Sequence, residues 1–512
     1  MKKLFGRILI VVPAIVLQIV WFYVFFTHLN GLMNDQLGKI LHIIFTVLAV
    51  LFVPFLVAKR DESSYRILWV LVITALPIFG AMLYLMVGHK STGKKLKWLL
   101  ERSRKQLPSP ERSESEDALA AIREDDLRIG QTLTHLSAST GFPVYKNATS
   151  KYYPLGEDMF PDMCEDLKKA EKYIFVEYFI IQSGKFWDTM KDIMVEKAAA
   201  GVDVRVMYDD FGCISTYSLK DLAELRKKGV KCISFNPFFL LRSQLNNRDH
   251  RKIMVIDGKV AYSGGVNLAD EYINAIVRFG HWKDIGFRIT GNAVKSYTFM
   301  FAEFWNAFSL DKIPVDLLAK DQIEHIETEQ SDGYILPYYD SPMRDEHSSN
   351  ELFTDMLGAA TDYIWFYTPY LILGDALFDA FIRAAKRGVD VRIITPGIPD
   401  KKMVYRLSRS YYEDLVKAGV KVYEYTPGFV HAKAFLADDK ICGIGTVNLD
   451  YRSLFLHFEC NSVFYQSDIL QQLKQDYLDT QSKSKQRTIE DTNKGFFHKF
   501  FDNLLRVIAP LL

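Results

Sequence analysis

The chain has almost no net charge. Its 63 Lys and Arg against 62 Asp and Glu leave a formal charge of +1 over 512 residues. A nucleic-acid binder needs a basic surface to displace counterions from phosphates, and no such excess exists here. Cysteine is scarce too. Cys164, Cys213, Cys232, Cys442 and Cys460 are scattered with no C-x-x-C spacing, which argues against a disulfide or zinc framework and for reduced core residues. There is no H-E-x-x-H, no Walker loop and no G-x-G-x-x-G, so zinc-protease chemistry and the common nucleotide-phosphate loops are excluded. No metal and no cofactor is expected.

What the chain does have is one motif written twice. The first copy runs from His250-Arg251-Lys252 through Asp257 to Gly264 and Asn267. The second runs from His431-Ala432-Lys433 through Asp438 to Gly445 and Asn448. Both read H-x-K-x4-D-x6-G-x2-N without a gap. Each Lys opens an apolar run (Ile253 to Ile256, Ala434 to Ala437), the signature of a buried strand. Strand alternation puts His and Lys on one face. Asp257-Gly258 and Asp438-Asp439 are turn signals, after which a returning strand delivers the Asn. Each copy therefore predicts a hairpin presenting His, Lys and Asn at one end.

The repeat extends well beyond the motif. Tyr173-Ile174-Phe175 matches Tyr363-Ile364-Trp365, Gly201-Val202-Asp203-Val204-Arg205 matches Gly388-Val389-Asp390-Val391-Arg392, and Gly229-Val230-Lys231 matches Gly419-Val420-Lys421. The displacement is about 180 to 190 residues, far longer than a solenoid period, so a whole domain is duplicated. Helices ending at Gly before Val-rich strands read as α/β chemistry. The expected class is α/β, with two pseudo-symmetric α/β sandwich domains whose motif ends face each other across one site.

Paired His-Lys-Asn sets suit phosphodiester transfer. A neutral imidazole can attack phosphorus and form a phosphohistidine. The second imidazole, protonated, serves the leaving alkoxide and later activates the acceptor hydroxyl. Lys252 and Lys433 suit the phosphate oxygens, as do the side-chain amides of Asn267 and Asn448. Each His needs a carboxylate on its other ring nitrogen, and Asp284 and Glu459 are the candidates. Asp257 and Asp438 belong to the motif but lie at turns, so their role is expected to be mostly structural. The chemistry leaves open which His is the nucleophile.

The two termini carry other signals. Residues 8–26, 40–58 and 67–87 hold no formally charged side chain. At 1.5 Å per residue a 19-residue helix spans about 28 Å, close to the hydrocarbon thickness. Two or three transmembrane helices are expected, the first a retained anchor because no small-x-small cleavage site follows it. Basic residues flank both sides of these segments (Lys2, Lys3 and Arg7 before, Lys90, Lys94, Lys95 and Lys97 after), so they set no single orientation. Residues 91–129 are charged and read as a mobile linker running into a helix. At the end of the chain Phe497, Phe501, Leu504, Leu505 and Ile508 fall on one helical face, suiting either a helix pressed on the core or one lying in a membrane interface.

At these motif residues the sequence resembles the phospholipase D superfamily, whose halves each carry an H-K-D motif. Within it, the chain is similar to the bacterial cardiolipin synthases. Supporting segments are Glu177-Tyr178-Phe179-Ile180, Tyr208-Asp209-Asp210-Phe211-Gly212, Thr368-Pro369-Tyr370, and Asn448-Leu449-Asp450-Tyr451-Arg452-Ser453 leading to Glu459. The chain departs from the superfamily where Ser often follows the motif Gly: Gly265 and Thr446 stand there. The resemblance implies phosphatidyl transfer between two phosphatidylglycerol molecules, giving cardiolipin and glycerol without nucleotide or metal. Its catalytic set would be His250, Lys252, Asp257, His431, Lys433 and Asp438, supported by Asn267, Asn448, Asp284 and Glu459, with His250 as nucleophile and His431 as acid and base. A hydrolytic phospholipase D or another phosphatidyltransferase is the alternative, and a tethered nuclease a more remote one. The implied partners are phosphatidylglycerol and membrane lipids, with no nucleic acid, and the implied location is the cell membrane, multi-pass. The expected organisation is a membrane anchor over 1–90, a charged linker over 91–129, phospholipase D-like domains over 130–325 and 326–485, and a C-terminal amphipathic segment over 486–512.

Overall fold

In the computed structural model the described residues are 47, 50–59, 62–75, 80, 84, 93–110, 113–237, 246–323, 333–492 and 495–511. The first expected span, 8–26, lies outside them. The second and third fall partly inside, as helical backbone over 51–57 and the helix Ser63–Ala75. Among the described residues no helix is long and apolar enough to cross a membrane.

The first half supplies β1 (Ala148–Tyr153), β2 (Tyr173–Tyr178), β3 (Asp203–Asp209), β4 (Lys231–Phe235), the two-residue β5 (Arg248–Asp249), β6 (Ile253–Ile256), β7 (Val260–Gly264), β8 (His281–Lys283) and β9 (Gly286–Gly291). The second supplies β10 (Tyr334–Asp340), β11 (Tyr363–Tyr367), β12 (Asp390–Pro396), β13 (Lys421–Tyr425), β14 (Gly428–Val430), β15 (Ala434–Ala437), β16 (Ile441–Gly445), β17 (His457–Tyr465) and β18 (Ser484–Gln486). One sheet has the order β1-β9-β7-β6-β2-β3-β4, and the other β10-β17-β16-β15-β11-β12-β13-β18. Strand for strand, the first seven positions correspond. In each sheet the motif strand (β6 or β15) sits in the middle, antiparallel to its hairpin partner and to β2 or β11. The strands β2-β3-β4 and β11-β12-β13 are parallel and joined through helices, as crossover connections require. The motif strands are buried along their whole length, which explains their unbroken apolar runs.

The halves share their packing. Helix Val294–Phe308 is buried over residues 294–305 and touches β2, β6 and β7 of its own half and β10 of the other. Its counterpart, Ile469–Ser482, packs on β13 and β15 and reaches across to β1. Tyr297 Oη and Ser462 Oγ lie 2.8 Å apart, and Tyr152 Oη donates to Asp476 Oδ2 at 2.7 Å. Both hydrogen bonds cross between halves.

The region expected to be a mobile linker is instead ordered. Helices Lys94–Gln106 and Leu127–Thr140 pack against the two halves, and Ser113–Asp125 packs on Leu127–Thr140. Charge dominates their composition, yet Leu96, Leu100, Ser103 and Leu107, then Ala118, Leu119 and Ile122, make buried stripes at helical spacing. Ser103 Oγ donates to the Glu303 carbonyl at 2.7 Å, and Ser115 Oγ accepts the Val144 amide at 2.9 Å. A charge run that leaves every third or fourth position small or apolar is a solvated helix face, with a core face behind it.

Candidate active site

Two short strands that cross between the halves build the site. β5, just before His250, pairs in parallel with the start of β17, His457 opposite Arg248 and Phe458 opposite Asp249. β8, just before Asp284, pairs in parallel with β14, which leads into His431. The amide of His250 donates to the Phe458 carbonyl at 2.9 Å, and that of His431 to the Lys283 carbonyl at 2.7 Å. Each His is thereby fixed beside the carboxylate strand of the opposite half.

The carboxylates are exchanged accordingly. His250 Nδ1 lies 2.9 Å from both oxygens of Glu459. His431 Nδ1 lies 2.6 Å from Asp284 Oδ2. All four residues are buried. With Nδ1 occupied, Nε2 is the nitrogen left to each imidazole for chemistry. Lys252 Nζ donates to the His250 carbonyl at 2.6 Å, and Lys433 Nζ donates to the His431 carbonyl. Every ammonium has three donors, so this local bond aims each Lys and leaves capacity for an anion.

Burial and crowded positive charge tune the set. Burial, reinforced by the Lys252 charge, pushes His250 well below the usual imidazole range, and His457, Lys433 and His431 add to the effect. Burial and Lys433 hold His431 down to about 4, against the pull of Asp284. Burial also lowers Lys252 to about 8 and Lys433 to about 7. The two carboxylates diverge. Burial raises Glu459 to about 8 despite Lys252, whereas His431 and Lys433 hold Asp284 below the usual carboxylate value despite its burial. Asp284 therefore keeps its negative charge beside His431, the arrangement that supports an imidazolium.

The remaining motif residues do other work. Asp257 and Asp438 sit at the far ends of their strands, seven residues and roughly 20 Å from each His at about 3.3 Å per residue. Asp257 accepts the amides of Glu171, Lys172 and Tyr173. Asp438 accepts those of Thr361, Asp362 and Tyr363. Both therefore tie the hairpin turn to the start of the neighbouring strand, and neither joins the His and Lys cluster. Asn267 accepts the Ile180 amide at 3.1 Å and donates to Tyr272 Oη at 2.9 Å. The Asn448 side chain hydrogen-bonds to Asp450. These two amides brace the loops beside the site.

The departure at Gly265 has a steric cause. A Cβ there would stand 2.0 Å from Asp284 Oδ1, so no side chain fits where the carboxylate reaches across. In the second half Thr446 occupies the equivalent place, and its hydroxyl donates to Glu459 Oε2 at 2.5 Å. The preceding Gly264 has φ +139°, and a Cβ there would meet the Ile285 carbonyl at 2.5 Å.

Some neighbours carried no signal in the motif. Phe179 meets the His250 ring edge-on at 4.9 Å, and His457 lies 6.1 Å from it, ring centre to ring centre. Arg452 Nε donates to His457 Nε2 at 3.4 Å. Tyr272 packs edge-on to His431 at 5.3 Å. Arg251, buried between Asp249 and Glu177, anchors the His250 strand from below. Glu177 and Phe179 stood in the segment that carried the resemblance. Arg251 stands inside the first motif copy, whereas Tyr272 and His457 follow no spacing rule and join the site only in the fold. Among the described residues no group of three His, Cys, Asp or Glu side chains converges as a metal site would require.

Two duplicated α/β units meeting at crossed His-carboxylate pairs define a phospholipase D-like protein, and the fold has a solved relative. The phosphatidylserine synthase of Haemophilus influenzae superposes with a TM-score of 0.56, covering 74% of this chain and 98% of that one at 14% identity. Residues 163–296 and again 353–479 match the family described as cardiolipin synthase, PLD-like domain, and residues 43–89 match the phospholipase D-nuclease N-terminal family. Curated relatives span nearly the whole chain. The cardiolipin synthase of Alkalihalophilus pseudofirmus is 32% identical over 94% of this chain and 96% of its own, and that of Geobacillus thermodenitrificans gives the same figures. An uncharacterized protein of Streptococcus mutans is 41% identical over 90% of this chain and 99% of its own. The chain belongs to the cardiolipin synthase family, whose enzymes are phosphatidyltransferases.

Proposed function

We propose that this protein makes cardiolipin from two phosphatidylglycerol molecules through a phosphohistidine. The observation that carries the reading is the crossed pair of imidazoles, each backed by a carboxylate of the opposite half and flanked by its own Lys. Cardiolipin synthase relatives of similar length support the choice of substrate.

His250 is the nucleophile and His431 the acid and base. A low imidazole pKa keeps the His250 ring neutral, and ionisation of Glu459, drawn down by Lys252 against its burial, sets the ring proton on Nδ1 and frees the Nε2 lone pair. The ionised Asp284 favours imidazolium at His431 once phosphate is bound. In the first step Nε2 of His250 attacks phosphorus of one phosphatidylglycerol. The bond from phosphorus to the glycerol oxygen breaks, and His431 delivers its proton to that oxygen, so glycerol leaves. In the second step the terminal hydroxyl of another phosphatidylglycerol gives its proton to His431. Its oxygen attacks phosphorus, the P–N bond breaks, and cardiolipin forms. Lys252 and Lys433 neutralise the non-bridging oxygens in both steps. The energy of the phosphodiester is kept in the P–N bond, so no nucleotide enters. Asp257, Asp438, Asn267 and Asn448 are positioning residues in this scheme.

The apolar segments 8–26, 40–58 and 67–87 support placing it in the membrane with two or three spans. The match of residues 43–89 to the N-terminal family supports this placement.

The test is product analysis of the purified enzyme in phosphatidylglycerol vesicles, followed by intermediate trapping. Cardiolipin with one equivalent of glycerol is expected; phosphatidic acid with glycerol would mean that water is the acceptor. With a p-nitrophenyl phosphodiester, whose leaving group needs no proton, His431→Ala should still accumulate an acid-labile phosphohistidine while His250→Ala forms none. The reverse pattern would exchange the two roles.

A further inference from the structure

The C-terminal helix Phe496–Ile508 is mounted inside out. Lys499, Asp502 and Arg506 face the protein, while His498 and Asn503 are exposed. Asp502 is buried and accepts from Arg406 Nε at 2.8 Å. Lys499 Nζ donates to Glu413 at 2.8 Å, and Arg506 donates to Ser410 and Asp414. All these partners lie on or beside the helices Lys402–Ser410 and Tyr412–Lys417 of the second half. The apolar residues point the other way. Phe496 is 78% exposed, Phe497 75% and Phe500 57%, with Phe501 and Leu504 also exposed. At about 100° per residue, Phe497, Phe500, Phe501 and Leu504 form one arc, opposite Lys499, Asp502 and Arg506. An isolated amphipathic helix would bury that arc on the core. The ion pairs prevent it from turning.

The exposed arc does not stand alone. Helix Phe496–Ile508 packs beside Ser63–Ala75, where Ile67 and Leu71 are exposed one turn apart. Leu51 and Phe55, on the preceding helical stretch, are exposed as well. The Arg66 guanidinium donates to the Val57 carbonyl and links the two stretches. Tyr65 stacks on Tyr451 at 5.7 Å, so the same group of helices touches Tyr451–Phe455, the turn that follows Asn448 in the site. An apolar surface assembled from both ends of the chain thus borders the catalytic loops.

We propose that this surface rests on the phospholipid bilayer, with helix Phe496–Ile508 lying in the interface and its phenylalanines set among the acyl chains. A lipid surface fits better than a protein partner on two grounds. The helix that carries the arc packs beside Ser63–Ala75, which overlaps a segment long and apolar enough in sequence to enter a bilayer. The arc's helix also has the shape of an interfacial element, an apolar face opposite a charged one, with the charged face satisfied by protein instead of water. Because the ion pairs fix the helix to the second half, the membrane plane is fixed relative to His250 and His431. A phosphatidylglycerol headgroup can then reach the site while its acyl chains stay in the bilayer. This inference rests on the lipid substrate proposed above.

All five cysteines are buried, so a thiol-reactive, environment-sensitive dye on Phe500→Cys reports that position alone. The full-length chain is reconstituted in phosphatidylglycerol vesicles with and without nitroxide-labelled acyl chains. The dye should be quenched by the nitroxide lipid and protected from aqueous iodide. A dye on Val277→Cys, at an 85% exposed loop position, should behave oppositely. Iodide quenching at Phe500→Cys would overturn the proposal, as would protection from both quenchers, which would mean that protein covers the face, whether from this chain or a second copy. Phe500→Glu should lower turnover on vesicles by about tenfold, on the scale of one buried aromatic, and leave turnover of a soluble p-nitrophenyl phosphodiester unchanged. A wild-type enzyme that makes no cardiolipin while its Phe500→Cys dye is lipid-quenched would sink the functional reading and spare this one.

Discussion

At the scale of residues, the site holds two lysines at the edge of titration. Lys433 is pushed down to about 7 and Lys252 to about 8, chiefly by burial. In the free enzyme, raising the pH through this window removes the positive charge proposed to receive the phosphate. A bound phosphodiester anion reverses the cost of burying an ammonium, so both pKa values rise in the complex. The expected result is a kcat/KM that falls between about pH 7 and 8 and a kcat that holds to higher pH, because the first reports free enzyme and the second the complex. Full pH-rate profiles check this. Alkaline limbs that coincide in both parameters would place the charge loss outside the site. The acid side is governed by imidazoles lowered from 6.5, so His250, the proposed nucleophile, stays neutral well below neutral pH.

At the scale of elements, each motif hairpin separates chemistry from architecture along its length. His and Lys stand at one end. The Asp at the other end gathers three backbone amides at the start of the neighbouring strand. Leaving such amides without an acceptor costs about 1–3 kcal/mol where they are buried. Asp257→Ala should lower the unfolding free energy in urea by a matching amount, and Asp438→Ala by less, because the Thr361 and Asp362 amides are exposed. Folded protein should still form phosphohistidine, which a trapping assay reads separately from stability. A variant of unchanged stability that has lost the intermediate would return the Asp to the chemistry. The helices Lys94–Gln106 and Ser113–Asp125 teach a related lesson. Their charged composition reads as a linker, but burial is decided by the few positions between the charges, Leu100 and Ile122 among them.

At the scale of the whole molecule, neither half holds a complete site. His250 depends on Glu459 and His431 on Asp284, through strand pairs that exist only between halves. A chain carrying Glu459→Gln should slow formation of the phosphohistidine on His250, the residue of the opposite half, and leave the proton-delivery role of His431 intact. With the p-nitrophenyl substrate, which needs no acid, Asp284→Asn should be nearly silent and Glu459→Gln strongly impaired. Single-turnover kinetics on the two variants would detect the exchange; the opposite ranking would uncouple each carboxylate from the His it touches.

Much of this protein was legible in the sequence, because its decisive signals are local and periodic. The duplicated H-x-K-x4-D-x6-G-x2-N, the apolar strand after each Lys and the Gly-ended helices each depend on neighbours in the chain, and they gave the α/β class, the duplication and the residue set His250, Lys252, His431, Lys433, Asp284 and Glu459. Tertiary structure decided the pairing. In sequence Asp284 follows His250 and Glu459 follows His431, yet the fold crosses them. No local rule encodes which strand edge docks on which, since β5 and β8 are only two and three residues long and gain their partners when the halves pack. The same holds for Gly265, whose missing side chain makes sense only once Asp284 stands 2.0 Å from where a Cβ would be. It holds too for the C-terminal helix. Its amphipathic period was plain in the sequence, but the ion pairs of Lys499, Asp502 and Arg506 with the second half determine that its apolar face turns outward. Periodicity fixes that a face exists, and the charges waiting on the partner surface fix where it points.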